Sequence, residues 1–333
     1  MQQFNNKNIH RIMVRATNWI GDGVMMTPAL EAIRTFFPQA EITVVANPLV
    51  AQLFTHHPWC DRVMVYDRKG EHRGFAGLWR FSRKLKSQRF DLAILLQKAF
   101  EPALLAFLAR IPERIGFSTD GRGFLLSRRT PLTDDVRCQH HSRHYLHMLR
   151  QFGIEGGSGD QYLEVSAPER QWAEEKLGHG SFIAINPGAA YGSAKRWIPE
   201  RFAEVGDRLA DEYGVRIVLT GGPGEAEIGS DIESFMTRKP LNLIGRTSIR
   251  QMMAIIDRCR LMVSNDSGPM HVAAALDVPV VAVFGATDHT TTYPWTKQYR
   301  VVRRDFECAP CLKRQCPTDH RCMEAVTVDD VLA

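Results

Sequence analysis

Short apolar runs rich in β-branched residues, each followed by a segment of helical period, recur along the whole chain. That alternation restricts the fold more than any other feature. In the first half the runs are 11–16 (RIMVRA), 41–46 (EITVVA), 62–66 (RVMVY) and 91–96 (DLAILL), with helical patterns at 28–37, 49–55, 74–89 and 102–110. A strand that is apolar on both faces must be covered on both faces. With helices as connections, that means parallel pairing through βαβ units. The scheme then starts again, with strands at 182–186 (FIAIN), 215–219 (VRIVL), 241–244, 261–264 and 278–284 (VPVVAVF) and helices at 199–213, 225–236, 248–258 and 269–276. Between the halves, 153–160 (GIEGGSGD) is Gly-rich and polar and reads as a connection, and 167–177 reads as a helix at the seam. The expectation is an α/β chain of two Rossmann-like, doubly wound parallel-sheet domains facing a cleft, 1–155 and 156–333. A length of 333 residues leaves room for two domains of ordinary size.

Several function classes drop out. No apolar run approaches the roughly 20 residues that span a bilayer. The N-terminus, MQQFNNKNIH, lacks the apolar core of a secretory signal, so a cytoplasmic location is expected. Lys plus Arg number 42 and Asp plus Glu 37, a net +5. This mild excess suits an anionic small ligand or an anionic membrane surface and does not argue for nucleic acid. A dinucleotide fingerprint, G-x-G-x-x-G, follows neither first strand, which disfavours a nicotinamide dehydrogenase.

In doubly wound sheets, ligands sit at the carboxyl ends of strands, which directs attention to four loops. After the first strand comes NWIGDGVMMTP, where Gly21 and Gly23 bracket Asp22. Glycine there would permit positive φ and close approach of a ligand. Asp22 either accepts a proton from a substrate hydroxyl or caps the following helix. After the first strand of the second half, NPGAAYGSAKRWI carries Gly188, Gly192 and Lys195. Lys195 either meets a phosphate as a point charge or is a solvated loop tip. The third loop, TGGPGEAE, begins like a dinucleotide turn at Gly222 and Gly224, but Glu227 stands at its last position. Glu225 hydrogen-bonds a ribose or caps the turn. The fourth, SNDSGPMH, offers the backbone N–H groups of Ser267 and Gly268 at a helix N-terminus, with Pro269 suited to the first turn. Asp266 would repel a diphosphate, so it meets sugar hydroxyls or a cation such as Lys195. His271, four residues after Ser267, is either part of this anion site or a core histidine.

Taken together, NWIGDGVMMTPAL, PGAAYGSAKRW and NDSGPMHVAAAL resemble the bacterial ADP-heptose:lipopolysaccharide heptosyltransferases of glycosyltransferase family 9, with the type II pattern. The resemblance runs in order along nearly the whole chain. It implies a GT-B fold, with the acceptor on the N-terminal domain and the ADP-sugar on the C-terminal one. It also implies inverting transfer of heptose from ADP-heptose to the first heptose of the inner core on lipid A, with no cofactor and no obligatory metal. Carried over by position, Asp22 is the base, Lys195 neutralises the leaving diphosphate, and Asp266 holds heptose hydroxyls. Ser267, Gly268 and His271 hold phosphate, with Gly188, Gly222 and Glu225 also in the donor site. Type I members carry a Thr pair where this chain has Ala190 and Tyr191. A type I enzyme with a Kdo acceptor, or a protein that binds a nucleotide sugar without transferring it, are the rival readings.

Three further features stand apart. Residues 74–89 mix Phe75, Leu78, Trp79 and Leu85 with Arg80, Arg83, Lys84 and Lys86, which suits an anionic lipid surface on the cytoplasmic face of the inner membrane or a packed amphipathic helix. Lys98 and Arg143, the latter within HHSRH, are candidates for anionic groups of the acceptor, or solvated. Among seven cysteines, Cys308, Cys311, Cys316 and Cys322 crowd the tail beside His320. Their first pair has the C-x2-C spacing of a zinc site and the rest does not, so a structural zinc or a redox-sensitive cluster both stay open.

Overall fold

The structure, a computed structural model, describes residues 8–333. The start of the chain, MQQFNNK, where most of the stretch read as lacking a signal core falls, lies outside the described residues. The chain divides into two compact units, one ending at Glu164 and the other spanning Val165–Ala333.

The first unit contains β1 (Arg11–Arg15), β2 (Glu41–Ala46), β3 (Arg62–Val65), β4 (Leu92–Leu95), β5 (Glu113–Phe117) and β6 (Arg128–Thr130), paired in the order β3-β2-β1-β4-β5-β6. The second contains β7 (Phe182–Asn186), β8 (Arg216–Leu219), β9 (Leu241–Asn242), β10 (Leu261–Asn265), β11 (Val280–Val283) and β12 (Tyr299–Val302), in the order β12-β11-β10-β7-β8-β9. Read from its other edge, the second order is the first one repeated. Every pairing is parallel, as in β1–β4 with Ile12 opposite Leu92 and β7–β10 with Ile183 opposite Leu261. These are two doubly wound Rossmann-like sheets, the GT-B composition that the resemblance implied.

The central strands β4 and β7 are buried at every position. Their apolar runs reflect helices packed on both faces. On one face of the first sheet, the crossover helix Gly74–Ser87 sets Leu78, Phe81 and Leu85 among Met13, Val45, Met64 and Leu95. Each such side chain contributes about 1.5–3 kcal/mol by leaving water. In the second unit Trp197 is fully buried beside Phe202, and its indole N–H donates to the carbonyl of Val326 at 3.0 Å. A buried indole with its one donor satisfied adds packing area without a desolvation penalty.

The expected boundary at 155/156 moves. Residues beyond Gly156 up to Glu164 belong to the first unit. Ser158 donates its backbone N–H and its hydroxyl to Glu31, Gln161 donates to the hydroxyl of Ser142, and the backbone of Tyr162 donates to Thr27. A polar segment that finds this many partners on one sheet's helices stays with that sheet. Three strands were not expected: β5, β6 and β12. Their Arg- and Glu-bearing sequences, ERIGF, RRT and YRVV, interrupt the apolar signal, and β6 and β12 lie at sheet edges where charge is tolerated.

Candidate functional site

Asp22 lies in the short helix Ile20–Met25, directly after β1. The N-cap of that helix is Trp19, so Asp22 is not its cap. Gly21 and Gly23 are helical and neither has positive φ, which corrects the expected turn freedom. Gly23 serves packing instead: a Cβ there would stand 2.9 Å from Leu53 Cδ1 and 3.0 Å from Val50 Cγ1. The Asp22 side chain is 28% exposed, and its carboxylate is 3.5 Å from His141 Nδ1. His141 opens the helix His141–Gln151, and its ring lies tilted against that of His144, one turn later, with ring centres 4.9 Å apart.

Lys98 follows β4 and donates to Nδ1 of buried His144 at 3.1 Å. That bond makes Nδ1 the acceptor and leaves the ring proton on Nε2. Burial, and then the Lys98 charge, push His144 down to about 4, so the ring is neutral near pH 7. Burial also lowers Lys98, against the opposing pull of Asp22, and it raises the neighbouring Tyr145 well above its ordinary range, with Asp22 acting in the same direction. The result is one exposed carboxylate backed by two histidines and a partly desolvated lysine. Because β1 and β4 are the neighbours at which the strand order reverses, Asp22 and Lys98 stand on either side of the first sheet's switch point. Arg143 sits exposed on the same helix, whereas His141 and His144 are the members turned toward Asp22 and Lys98. The sequence marked this histidine cluster only as a group. Its helix went unexpected because histidines dilute its apolar period.

The second unit builds its cluster at the equivalent place, the ends of β7 and β10. Lys195 closes the 3-10 turn Ser193–Lys195, and its Nζ is 2.6 Å from Asp266 Oδ2. The two side chains are 13% and 5% exposed, so Lys195 is no solvated loop tip. The Thr287 hydroxyl donates to the same Asp266 oxygen. Nζ also lies 5.0 Å from the ring centre of Tyr191, whose hydroxyl donates to the carbonyl of Leu312 at 2.7 Å. Of the two partners open to Asp266, the cation is the one present.

Side-chain amides tie the strand ends together. Asn265 donates to Pro187 O at 2.7 Å and accepts from Trp197 N at 3.0 Å. Asn186 donates to Thr220 O at 2.7 Å and accepts from the Ser267 hydroxyl at 3.0 Å. These buried bonds are worth about 0.5–1.5 kcal/mol each, and leaving one partner unsatisfied costs more. Ser267 occupies the N-cap of the helix Gly268–Ala275, yet its hydroxyl turns to Asn186 and Ser264 and caps nothing. Side chains thus leave the leading N–H groups of that helix to other acceptors, with Pro269 in the first turn. His271 is buried, 3% exposed. Glu225 accepts from the backbone N–H of Gly222 at 2.7 Å, so the turn-capping arrangement is present. The same carboxylate explains Gly188: a Cβ there would lie 1.9 Å from Glu225 Oε1.

The cysteine tail contributes in a way the sequence did not signal. Arg314 O accepts from Ala194 N at 3.1 Å, and His320 Nε2 lies 3.1 Å from Ala194 O, so the tail braces the turn that carries Lys195. Cys308, Cys311, Cys316 and Cys322 are free thiols lining one cavity of about 80 Å³ with His320. Among the described residues, no group of three or more His, Cys, Asp or Glu is arranged to hold a metal ion.

Comparison with known proteins agrees with this anatomy. The model of glycosyltransferase family 9 (heptosyltransferase) matches residues 78–321, which include the loops of Lys98, Lys195, Glu225 and Asp266. The lipopolysaccharide heptosyltransferase 2 of Salmonella typhimurium is 30% identical over 313 residues, covering 88% of each chain. A glycosyl transferase of family 9 from Veillonella parvula superposes with a TM-score of 0.87 at 27% identity, covering 97% of this chain and 95% of that one. The E. coli ADP-heptose lps heptosyltransferase II gives 0.83 at 27% identity, covering 97% and 96%. With a family model matched over most of its length and two doubly wound sheets that superpose on family structures, the chain belongs to glycosyltransferase family 9, the heptosyltransferases.

Proposed function

We propose that the protein is an inverting glycosyltransferase that moves L-glycero-D-manno-heptose from ADP-heptose to the first heptose of the lipopolysaccharide inner core. The observation that carries this reading is the pair of matched switch points, an open carboxylate in one unit and a buried Lys–Asp pair beside an uncapped helix N-terminus in the other. The relatives, a lipopolysaccharide heptosyltransferase 2 and an ADP-heptose lps heptosyltransferase II, supply the donor and acceptor class.

In the proposed reaction the acceptor hydroxyl oxygen bonds to the anomeric carbon as that carbon's bond to the diphosphate oxygen breaks. The electron pair of the broken bond leaves with ADP. The hydroxyl proton passes to the Asp22 carboxylate, which is 28% exposed. Positive charge near Asp22, from Lys98 and from His141 when protonated, suits the anionic groups of an inner-core acceptor. Negative charge grows on the departing diphosphate, and Lys195 with the N–H groups at Ser267 and Gly268 answers it. Asp266 holds Lys195 in place and keeps a carboxylate oxygen for sugar hydroxyls. The protein would work on the cytoplasmic face of the inner membrane, held at its surface. In keeping with that, no helix among the described residues is long and apolar enough to cross a bilayer.

The test is turnover with ADP-heptose on two acceptors, one ending in heptose and one ending in Kdo. Faster transfer to the heptose terminus is expected. Preference for Kdo would make this a type I enzyme, and tight ADP-heptose binding with no transfer to either would make it a binding protein.

A further inference from the structure

The helix Gly74–Ser87 carries more apolar and cationic surface than its packing uses. Its buried arc is Gly77, Leu78, Phe81, Ser82 and Leu85. At 100° per residue these positions occupy one side, and Phe75, Trp79, Arg83 and Lys86 form a stripe along one edge of the outer face, with Arg80 about 60° beyond Arg83 and Lys84 at the opposite edge. Phe75 is 76% exposed and Trp79 50% exposed. The Arg83 guanidinium rests 4.9 Å from the Trp79 ring centre. From Arg73 to Phe90 there are six Lys and Arg and no Asp or Glu, and all six cations are exposed. None of the six forms an ion pair among the described residues. The next helix on this face, Phe100–Leu108, packs against it and exposes another ring, Phe107.

A protein partner of ordinary composition would leave six unanswered cations at its rim. A surface of anionic headgroups over hydrocarbon answers both halves of the pattern: the rings enter the acyl boundary and the cations stay at headgroup level. We infer that the outer face of Gly74–Ser87 is a docking surface for the anionic phospholipid bilayer, in which Phe75 and Trp79 insert and Arg80, Arg83 and Lys86 pair with headgroup phosphates. The inference deepens the proposed function by naming the surface that brings the enzyme to a lipid-borne acceptor. It stands or falls on a measurement that needs no heptose.

The full chain is sedimented with vesicles of phosphatidylglycerol and phosphatidylcholine, and with phosphatidylcholine alone. The wild type binds the anionic vesicles and is released by high salt. The double variant Phe75→Ser/Trp79→Ser and the triple variant with Gln at 80, 83 and 86 each lose at least about tenfold in vesicle affinity. All five positions are solvent-facing, so melting temperature and transfer to a deacylated, water-soluble acceptor stay at wild-type values, while transfer to vesicle-embedded acceptor falls. Undiminished vesicle binding by both variants overturns the inference, as does equal binding to neutral vesicles. So does a wild-type dimer that the double variant dissolves, which would assign the face to a second copy of the chain. If instead the wild type binds vesicles and transfers nothing to the soluble acceptor, the proposed function fails and the docking surface stands.

Discussion

The two units share one strand order, and each places an acid and a lysine in the segments that follow the two strands flanking its switch point, yet the two pairs are held in opposite ways. In the first unit Asp22 stays 28% exposed, and Lys98 bonds to a neutral histidine rather than to the acid. In the second, Lys195 and Asp266 are 2.6 Å apart and nearly out of water. An acid that must take up a proton needs an accessible carboxylate with no lysine or arginine bound to it directly. A cation that must meet a diphosphate in the same place every turnover needs its position fixed. Under the proposed reaction the same topological location supports a reactive group in one unit and a rigid one in the other, and helix and loop chemistry makes the difference.

That contrast sets what substitutions should do. Asp22→Asn should cut turnover by about 10²–10⁴-fold while leaving ADP affinity and stability near wild type. Steady-state kinetics beside calorimetric ADP titration reads this, and a loss below about tenfold would remove Asp22 as the base. Lys195→Met should act on stability as well as on turnover. It strands Asp266 in a buried site, at a cost of about 3–5 kcal/mol to the second unit in urea unfolding. A cost within the 0–1 kcal/mol range of surface pairs would show that the pair is solvated in solution and would erase the contrast.

A smaller effect belongs to Gly188→Ala. Its methyl group must displace the Glu225 carboxylate from Gly222, losing a cap of about 0.5–2 kcal/mol. In a Glu225→Ala background the same substitution should cost little more, and a thermal double-mutant cycle tests that coupling. A pH slope follows from the histidine beside Lys98. His144 has its folded-state value pushed from 6.5 down to about 4, so between these values the unfolded chain binds the proton and the folded one does not. Stability should therefore fall as pH drops from about 6.5 toward 4 and should level off below that. His144→Gln should flatten this segment of the melting-temperature profile, and an unchanged slope would place the titration elsewhere.

Much of this was legible before any coordinates. Runs such as EITVVA and FIAIN are strands at the expected bounds, because a two-sided apolar strand has few other fates. The helix Ala167–Leu177 was legible too, bounded by a Ser166–Glu169 capping box. The strand ERIGF was not, since its charges hide a strand that still pairs with β4. Among site residues, Asp22, Lys195 and Asp266 stood out by their loops. His141 and His144 did not, because their meaning lies in facing Asp22 and Lys98. The tail's brace on the Lys195 turn was equally hidden, since a carbonyl contact leaves no residue-type signature.

The sequence by itself determined that this chain makes two parallel doubly wound sheets and which polar residues end their strands, because periodicity and loop chemistry are local properties. Only the tertiary structure decided that Lys195 meets Asp266, 71 residues away, and that Lys98 meets His144, 46 residues away. Those pairings follow from which strands become neighbours and how helices pack across them. Burial then sets the charge each group carries, and no window of sequence contains that information.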